Sequence, residues 1–430
     1  MTFSRSSMDF HANPLTAQPA IAPDAYRAHA REWLKNNLPA HMRADTLDYR
    51  SPTLAESSQW EAAMYRAGLA GMTWPVEYGG HGLTLREHLA VNKEIGALAM
   101  PESVSSIGKE LAGPIIMTVG TEAQKKTFLP AILQMQNYWC QGFSEPDAGS
   151  DLVRLRTRAT QEGDQWRING QKIWTSGAAK AHYCLLLTRT GTVADKHRGL
   201  LMFAVPMDTP GIRVVPIRSI DNKESFAEVF FDDVIVPDSA RLGAPDEGWN
   251  AAIRVLSIER ATNRMYRPWR FECELRQLVQ ACQSDAQLAG RLTESYYQRR
   301  IGQLVCEIDG LKGLVEQSVD QLLAGAAIGA RGSLTKLYWS NATRHSWHWR
   351  RKSSHRSGRP QARWRGVPAS IFALPTCSRM PRLSTRARPK CNWTSSPSAL
   401  CNCQRISDHE SPGRKFAPRR VCRSGCRCGR

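Results

Sequence analysis

The spacing of apolar residues changes twice along this 430-residue chain, and each change limits what it can fold into. In "PDAYRAHAREWLKNNLP", Tyr26, Ala30, Trp33 and Leu34 recur at i, i+4, i+7 and i+8, the stripe of an amphipathic helix. Asp24 is expected to cap that helix and Pro39 to stop it. Helical patterns follow over roughly 55–69, 84–99 and 121–135, with the Gly/Pro-punctuated loop "GMTWPVEYGGHG" between the first two. Near residue 138 the pattern shortens. "DQWRINGQKIWT", "YCLLLTRT", "GLLMFAVPM", "IRVVPI" and "FAEVFFDDVIVP" are short β-branched or aromatic runs cut by Gly, Pro and Asp, as in an antiparallel β domain. Helical spacing returns from Asp246, and Ile301, Leu304, Val305, Ile308, Leu311 and Val315 are expected on one face of a long helix. "GSLTKLYWSN" opens another helix, after which the pattern stops. The fold class is therefore α+β, helical then β then helical, with a cleft between domains where a cofactor could sit. The expected boundaries are a disordered 1–21, a helical domain over 22–137, a β domain over 138–244, a partial helical domain over 245–342 and a basic tail over 343–430.

A net charge of +19 points to an anionic partner until its placement is considered. Residues 343–430 hold 21 Lys and Arg against 2 Asp and Glu, which is the whole excess; the rest of the chain holds 37 of each sign. Seven of the twelve cysteines also lie in the tail. The other five are widely spaced, the usage of a reducing cytoplasm rather than of a disulfide framework. Residues 1–22 show no apolar leader core, and no apolar run reaches the ~20 residues of a membrane helix, so a cytoplasmic protein without membrane contact is expected.

Two segments carry the chemistry. In "CQGFSEPDAGSDLVRLRTRAT", glycines, hydroxyl residues and acids crowd a turn, where backbone amides and hydroxyls could approach a flat polar ring; a plain polar interdomain loop gives the same pattern. In "INGQKIWTSGA", Asn169-Gly170 is a hairpin signal and Trp174 precedes Thr175, Ser176 and Gly177. A strand tryptophan is ordinarily core; at a strand end beside Thr-Ser-Gly it also suits ring stacking.

Together these segments resemble the acyl-CoA dehydrogenase family. "FSEPDAGSD" is similar to its first signature and "INGQKIWTSGA" to its second flavin-contacting segment. "TWPVEYGGHGLTLREHLAVNKEI", "ESFAEVFFDDVIVPDSARLGAPDEGW" and "IGARGSLTKLYWS" extend the resemblance over about 22–341. It implies an FAD enzyme that oxidises an acyl-CoA thioester to the 2,3-enoyl-CoA: a carboxylate takes the weakly acidic α-proton while hydride leaves the β-carbon for the flavin. By this resemblance Gln141, Phe143, Ser144, Trp174 and Ser176 contact the flavin, and Ser150 meets the pantetheine arm. Serine stands at 144 and 176 where the family usually has threonine, which keeps the hydroxyl. Family members carry their base either late in the chain or on the first long C-terminal helix, as in isovaleryl-CoA dehydrogenases. "LSIERATNR" puts Glu259 at the second place, with Arg260 as a structural or substrate-side neighbour; an exposed helical Glu-Arg pair is the plain alternative. The family's "Arg-x-x-Phe-Gly" segment has no counterpart in 262–300. The resemblance also implies an electron-transfer flavoprotein-like acceptor and a homo- or hetero-oligomer. Straight-chain, branched and steroid side-chain acyl groups all remain open.

From about 343 the resemblance stops, in "TRHSWHWRRKSSHRSGRPQARWRG", rich in Arg, Ser and Trp without periodicity. A non-specific nucleic-acid arm would suit the charge, but zinc-finger spacing is lacking and the body adds no basic track. Cys401, Cys403, Cys422, Cys426 and Cys428 offer thiols without paired C-x2-C knuckles, so no metal is expected. Read one nucleotide back, the codons of 383–404 permit IIYAGTSEVQLDIIAERALQLP, which resembles the family's "IYGGTSEIQ…IIAER" C-terminal segment. The expectation is a frameshift near 341–344, with the family's last helices lost from the printed frame.

Overall fold

The computed structural model describes residues 23–43, 50–219, 223–245, 247–261, 264–326, 329 and 331–342. The expectations for 1–21 and for the tail, its thiols and its altered frame lie outside these residues. Five helices come first: α1 (Pro23–Asn37), α2 (Leu54–Arg66), α3 (Leu85–Ala97), α4 (Gly113–Val119) and α5 (Glu122–Leu133). A π turn, Gly108–Ala112, runs directly into α4. Thr53, Thr84 and Thr121 open α2, α3 and α5 with reciprocal capping boxes to Glu56, Glu87 and Gln124, which satisfy amides that have no partner inside the helix. Asp24 lies inside the first turn of α1 rather than ahead of it, where a negative charge still suits the helix N-terminus.

The sheet follows, with β1 (Trp139–Gly142), β2 (Arg158–Glu162), β3 (Gln165–Ser176), β4 (Tyr183–Arg189), β5 (Leu200–Pro206), β6 (Ile212–Ile217), β7 (Phe226–Pro237) and β8 (Arg241–Leu242). The order is β6-β7-β3-β2-β4-β5-β8, with β1 beside β4. The pairings are antiparallel except that β1 and β2 each meet β4 in parallel. Asn169-Gly170 is not the hairpin turn. It lies within β3 at a register shift, where Asn169 exchanges hydrogen bonds with Asp233 of β7, and the β2–β3 turn falls at Gly163-Asp164 instead. The extra residue at this shift belongs to β7, where Asp233 takes a left-handed φ of 47° opposite Asn169.

Alternation along β4 makes the sheet a shared wall. Leu185 and Leu187 join Met202 in packing on Ile115, Ile116, Leu129 and Ile132 of the helices. Cys184 and Leu186 face the other way, onto Ile168, Phe203 and Val229. The later helices are α6 (Gly248–Ala261), α7 (Arg267–Gln283), α8 (Ala286–Ala289) and α9 (Ser295–Leu323), then a helix over 331–342. Ala252 and Val255 of α6 complete the core on the helical side of the sheet. The start of α7 meets α3 so closely that a Cβ on Gly96 would lie 2.3 Å from the Tyr266 carbonyl. On α9, Leu304, Ile308, Leu311 and Val315 are buried as expected, whereas Val305 is exposed and Ile301 only half-buried. Among the described residues no helix is long and apolar enough to cross a membrane.

Gly113 sits where a Cβ would meet the Trp74 ring at 2.2 Å. Gly→Ala in a helix ordinarily stabilises by about 1 kcal/mol. Here overpacking reverses the sign, so Gly113→Ala is expected to destabilise by ~1–3 kcal/mol and lower the urea midpoint. An unchanged or raised midpoint would contradict this packing.

Candidate active site

β1 leads straight into Phe143, Ser144 and Glu145, and β3 brings Lys172 beside them. The Lys172 Nζ donates to the Phe143 carbonyl at 3.1 Å and to the Glu145 carboxylate at 2.8 Å. Both side chains are buried, Lys172 completely. Glu145 also accepts from the backbone N–H of Arg156 at 2.6 Å and of Thr157 at 2.9 Å. One ion pair therefore closes the 145–157 loop on itself and fastens it to β3. Burial opposes the charge on Glu145, but the Lys172 ammonium and the donated hydrogen bonds outweigh it and hold the carboxyl below its ordinary range. Burial likewise pushes the Lys172 ammonium down, with Glu145 acting against that. Arg189 fixes the far end of the loop, donating to the carbonyls of Leu155 at 3.0 Å and Thr192 at 2.8 Å.

The Ile173 N–H donates to the Ser144 carbonyl at 2.9 Å, which sets the first motif against the second. Directly beyond, β3 bulges between Lys172 and Thr175. Trp174 occupies the bulge at φ 59°, a left-handed conformation costing a non-glycine residue about 1–3 kcal/mol. Its ring is 59% exposed and touches Phe226 edge-on at 6.2 Å. A large, strained, uncovered aromatic is the reverse of a core tryptophan and suits a platform for a flat ligand. Thr175 beside it is fully buried, and its hydroxyl has no protein partner. Ser176 is exposed, and Gly177 follows at φ 70° with open space where a Cβ would stand.

The structure thus sets Phe143 and Ser144 beside Lys172 and Ile173, the residues just before Trp174, while Gln141 pairs with Leu185 of β4 and Ser176 with Phe226 of β7. Gln141 and Ser144 are half-buried and Phe143 is buried. Gly142 allows close strand packing, since a Cβ there would lie 2.8 Å from the Cys184 sulfur. Ser150 is on the exposed part of the loop, beside Gly149 with open space around it. Glu259 comes from another element, α6, and is half-buried. The Arg260 side chain lies outside the described residues. Sequence reasoning did not give Lys172, Arg189 or Thr175 a role. Lys172 shares strand parity with Ile168, the one signal that it points inward. Among the described residues no group of His, Cys, Asp or Glu could hold a metal ion.

Three family models match in chain order: the acyl-CoA dehydrogenase N-terminal domain over 23–136, middle domain over 140–234 and C-terminal domain over 246–348. Acyl-CoA dehydrogenase IpdE1 of Mycobacterium tuberculosis (strain ATCC 25618 / H37Rv) is 34% identical over 336 residues, covering 76% of this chain and 83% of that protein. A solved structure described as the Tcur3481-Tcur3483 steroid ACAD is 26% identical with a TM-score of 0.67, over 83% of this chain and 91% of that one. The ChsE4-ChsE5 complex from Mycobacterium tuberculosis is similar at 27% identity and a TM-score of 0.63, over 75% and 81% of the two chains.

Lys172→Met leaves a buried carboxylate without its counter-charge and is expected to destabilise by roughly 3–5 kcal/mol in urea unfolding, with part of the loss recovered in Lys172→Met/Glu145→Gln, which removes the charge and keeps an oxygen to accept from a loop amide. A double variant no better than the single one would remove the ion pair from this account. The pH dependence has a definite sign. A depressed Glu145 pKa contributes stability that is present above the ordinary carboxylate pKa and is lost as pH falls through the folded value. Wild type should therefore lose stability on acidification more steeply than Glu145→Gln; parallel pH profiles would contradict this.

Proposed function

The chain belongs to the acyl-CoA dehydrogenase family, oxidoreductases acting on a CH–CH bond, and from that premise we propose that it converts an acyl-CoA thioester to the 2,3-enoyl-CoA with FAD. The observation that carries this reading is Trp174, held strained and uncovered beside a buried hydroxyl without a partner and a loop pinned by an internal ion pair. These residues fit a flat, polar-edged ring such as a flavin. Bound FAD supplies the hydride acceptor. Trp174 would stack on such a ring, Ser144 and Ser176 would offer it hydroxyls and Gln141 its amide, and Phe143 would hold the segment that carries Ser144. Glu259, half-buried on α6, removes the α-proton. Ser150 meets the pantetheine arm, and Arg260 is a structural or substrate-side neighbour of the base.

The similar ChsE4-ChsE5 and Tcur3481-Tcur3483 structures are of paired chains, which supports a hetero-oligomer here, with an electron-transfer flavoprotein-like acceptor. Among the described residues the five cysteines form no disulfide and four of them are buried, which supports a cytoplasmic setting. We read 343–430 as out of frame; in-frame DNA across codons 338–346, confirmed on both strands, would end that reading.

Glu259→Gln should keep flavin absorbance while kcat falls by roughly 10²–10⁴. Trp174→Ala should weaken flavin retention on gel filtration. A Glu259→Gln enzyme with wild-type kcat would remove Glu259 as the base.

A further inference from the structure

No three of His, Cys, Asp or Glu converge among the described residues, but a methionine sulfur completes a different donor set. Cys140 of β1 and Cys184 of β4 are direct partners in the parallel ladder. Both are fully buried and unbridged, and both face the side of the sheet occupied by Ile168, Phe203 and Val205. Neighbouring strands run about 4.8 Å apart, so two side chains on one face at one register stand within reach of a shared ion.

The third sulfur comes from the end of β5. Val205 pairs with Cys184, and the Met207 N–H donates to the His182 carbonyl at 2.8 Å, which holds the end of β5 against β4. Leu201, Phe203 and Val205 share one face of β5, and Met207 continues their parity into the same cluster. Its Sδ lies 3.9 Å from Cys140 Sγ. Two sulfurs each about 2.3 Å from one ion at a trigonal angle stand about 4 Å apart, so this pair already has a bridging separation.

The surroundings select the ion. Hard cations need oxygen ligands, and the buried residues clustered with these sulfurs are apolar. Zinc takes four ligands, and no His, Asp, Glu or third Cys joins the pair among the described residues. Two thiolates and a thioether are the soft set that suits Cu(I). A Cu(I) dithiolate carries one negative charge. Lys172, bonded to Glu145, brings a buried ammonium to the same layer: a Cβ on Gly142 would lie 2.8 Å from Cys184 Sγ and 3.4 Å from Lys172 Cγ. Access exists on one side, since Met207 is half-buried and lines a cleft of about 780 Å³ together with Phe128, His182 and Tyr183.

We propose that Cys140, Cys184 and Met207 form a three-sulfur site for Cu(I), entered from this cleft past Met207. Each thiol exchanges its proton for a bond to the ion, the protons leave to solvent, and no electron is transferred. The site does not rest on the dehydrogenase reading.

The test is anaerobic titration of the full-length chain with Cu(I) against bicinchoninate, in a background where Cys306 and the seven cysteines beyond residue 342 are replaced by serine. One Cu(I) per chain should be retained, and X-ray absorption should show sulfur neighbours only, at about 2.3 Å. Cys140→Ser and Cys184→Ser should each weaken retention by more than roughly 100-fold, and Met207→Leu by roughly tenfold. Leucine is close to methionine in volume, so Met207→Leu should keep the wild-type urea midpoint, and it keeps the test decisive if a serine variant fails to fold. Retention unchanged in Met207→Leu, nitrogen or oxygen neighbours in the absorption spectrum, or Zn(II) held as tightly as Cu(I) overturns the site.

Discussion

The buried contact between Lys172 and Glu145 is the interaction on which the candidate active site depends. It joins two segments separated by more than twenty residues, and Glu145 is bonded at once to β3 and to the amides that end its own loop. Isolated, either charge would be costly in this interior; paired and hydrogen-bonded, each fixes the other. The strand end carrying Trp174 and the loop carrying Ser144 therefore share one anchor. A loop this rich in glycine and acid residues would otherwise have many conformations, and the anchor selects one.

The sheet extends that fixity to the helices. β4 presents apolar residues to both sides, so the layer that positions the motif strands also forms the base for α4, α5 and α6. Glu259 rides on α6, and Ala252 and Val255 of that helix are fully packed against the same core. Between α3 and α7 the closure is by backbone: Gly96 admits Tyr266, and buried Arg270 donates to the Met100 carbonyl at 2.8 Å. First and last helices are thereby held to each other as well as to the sheet.

Much of this was legible in the sequence, because spacing reports burial directly. The stripe Tyr26, Ala30, Trp33, Leu34 is buried as its spacing requires, and the change of period near 138 falls at the start of β1. Errors arose where one residue too many enters a strand. Asn169-Gly170 looks like a turn because local chemistry cannot show that Asp233 waits across the sheet to bond it. Simple alternation from Lys172 would also turn Trp174 inward and Thr175 outward; the bulge between Lys172 and Thr175 reverses strand parity there. Lys172 was hidden by its type, since a lone strand lysine ordinarily faces water and only tertiary structure supplies the carboxylate that lets it turn inward. The segments around Ser144 and Trp174 stood out through their composition, whereas the groups that hold them in place carry no local signature.

The backbone at Trp174 has a consequence for how a ligand meets this protein. A left-handed residue at a bulge fixes the direction of its Cα–Cβ bond by the course of the main chain, so the side chain leaves the strand on the exposed side whichever rotamer it holds. The conformational cost is incurred when the chain folds, before any ligand arrives. Association then needs no reordering of that backbone, and only the ring's own rotamer is left to settle when a flat molecule reaches this surface. The same rigidity leaves a bare aromatic in water whenever the surface is vacant, so that occupancy itself protects the fold from unwanted contacts.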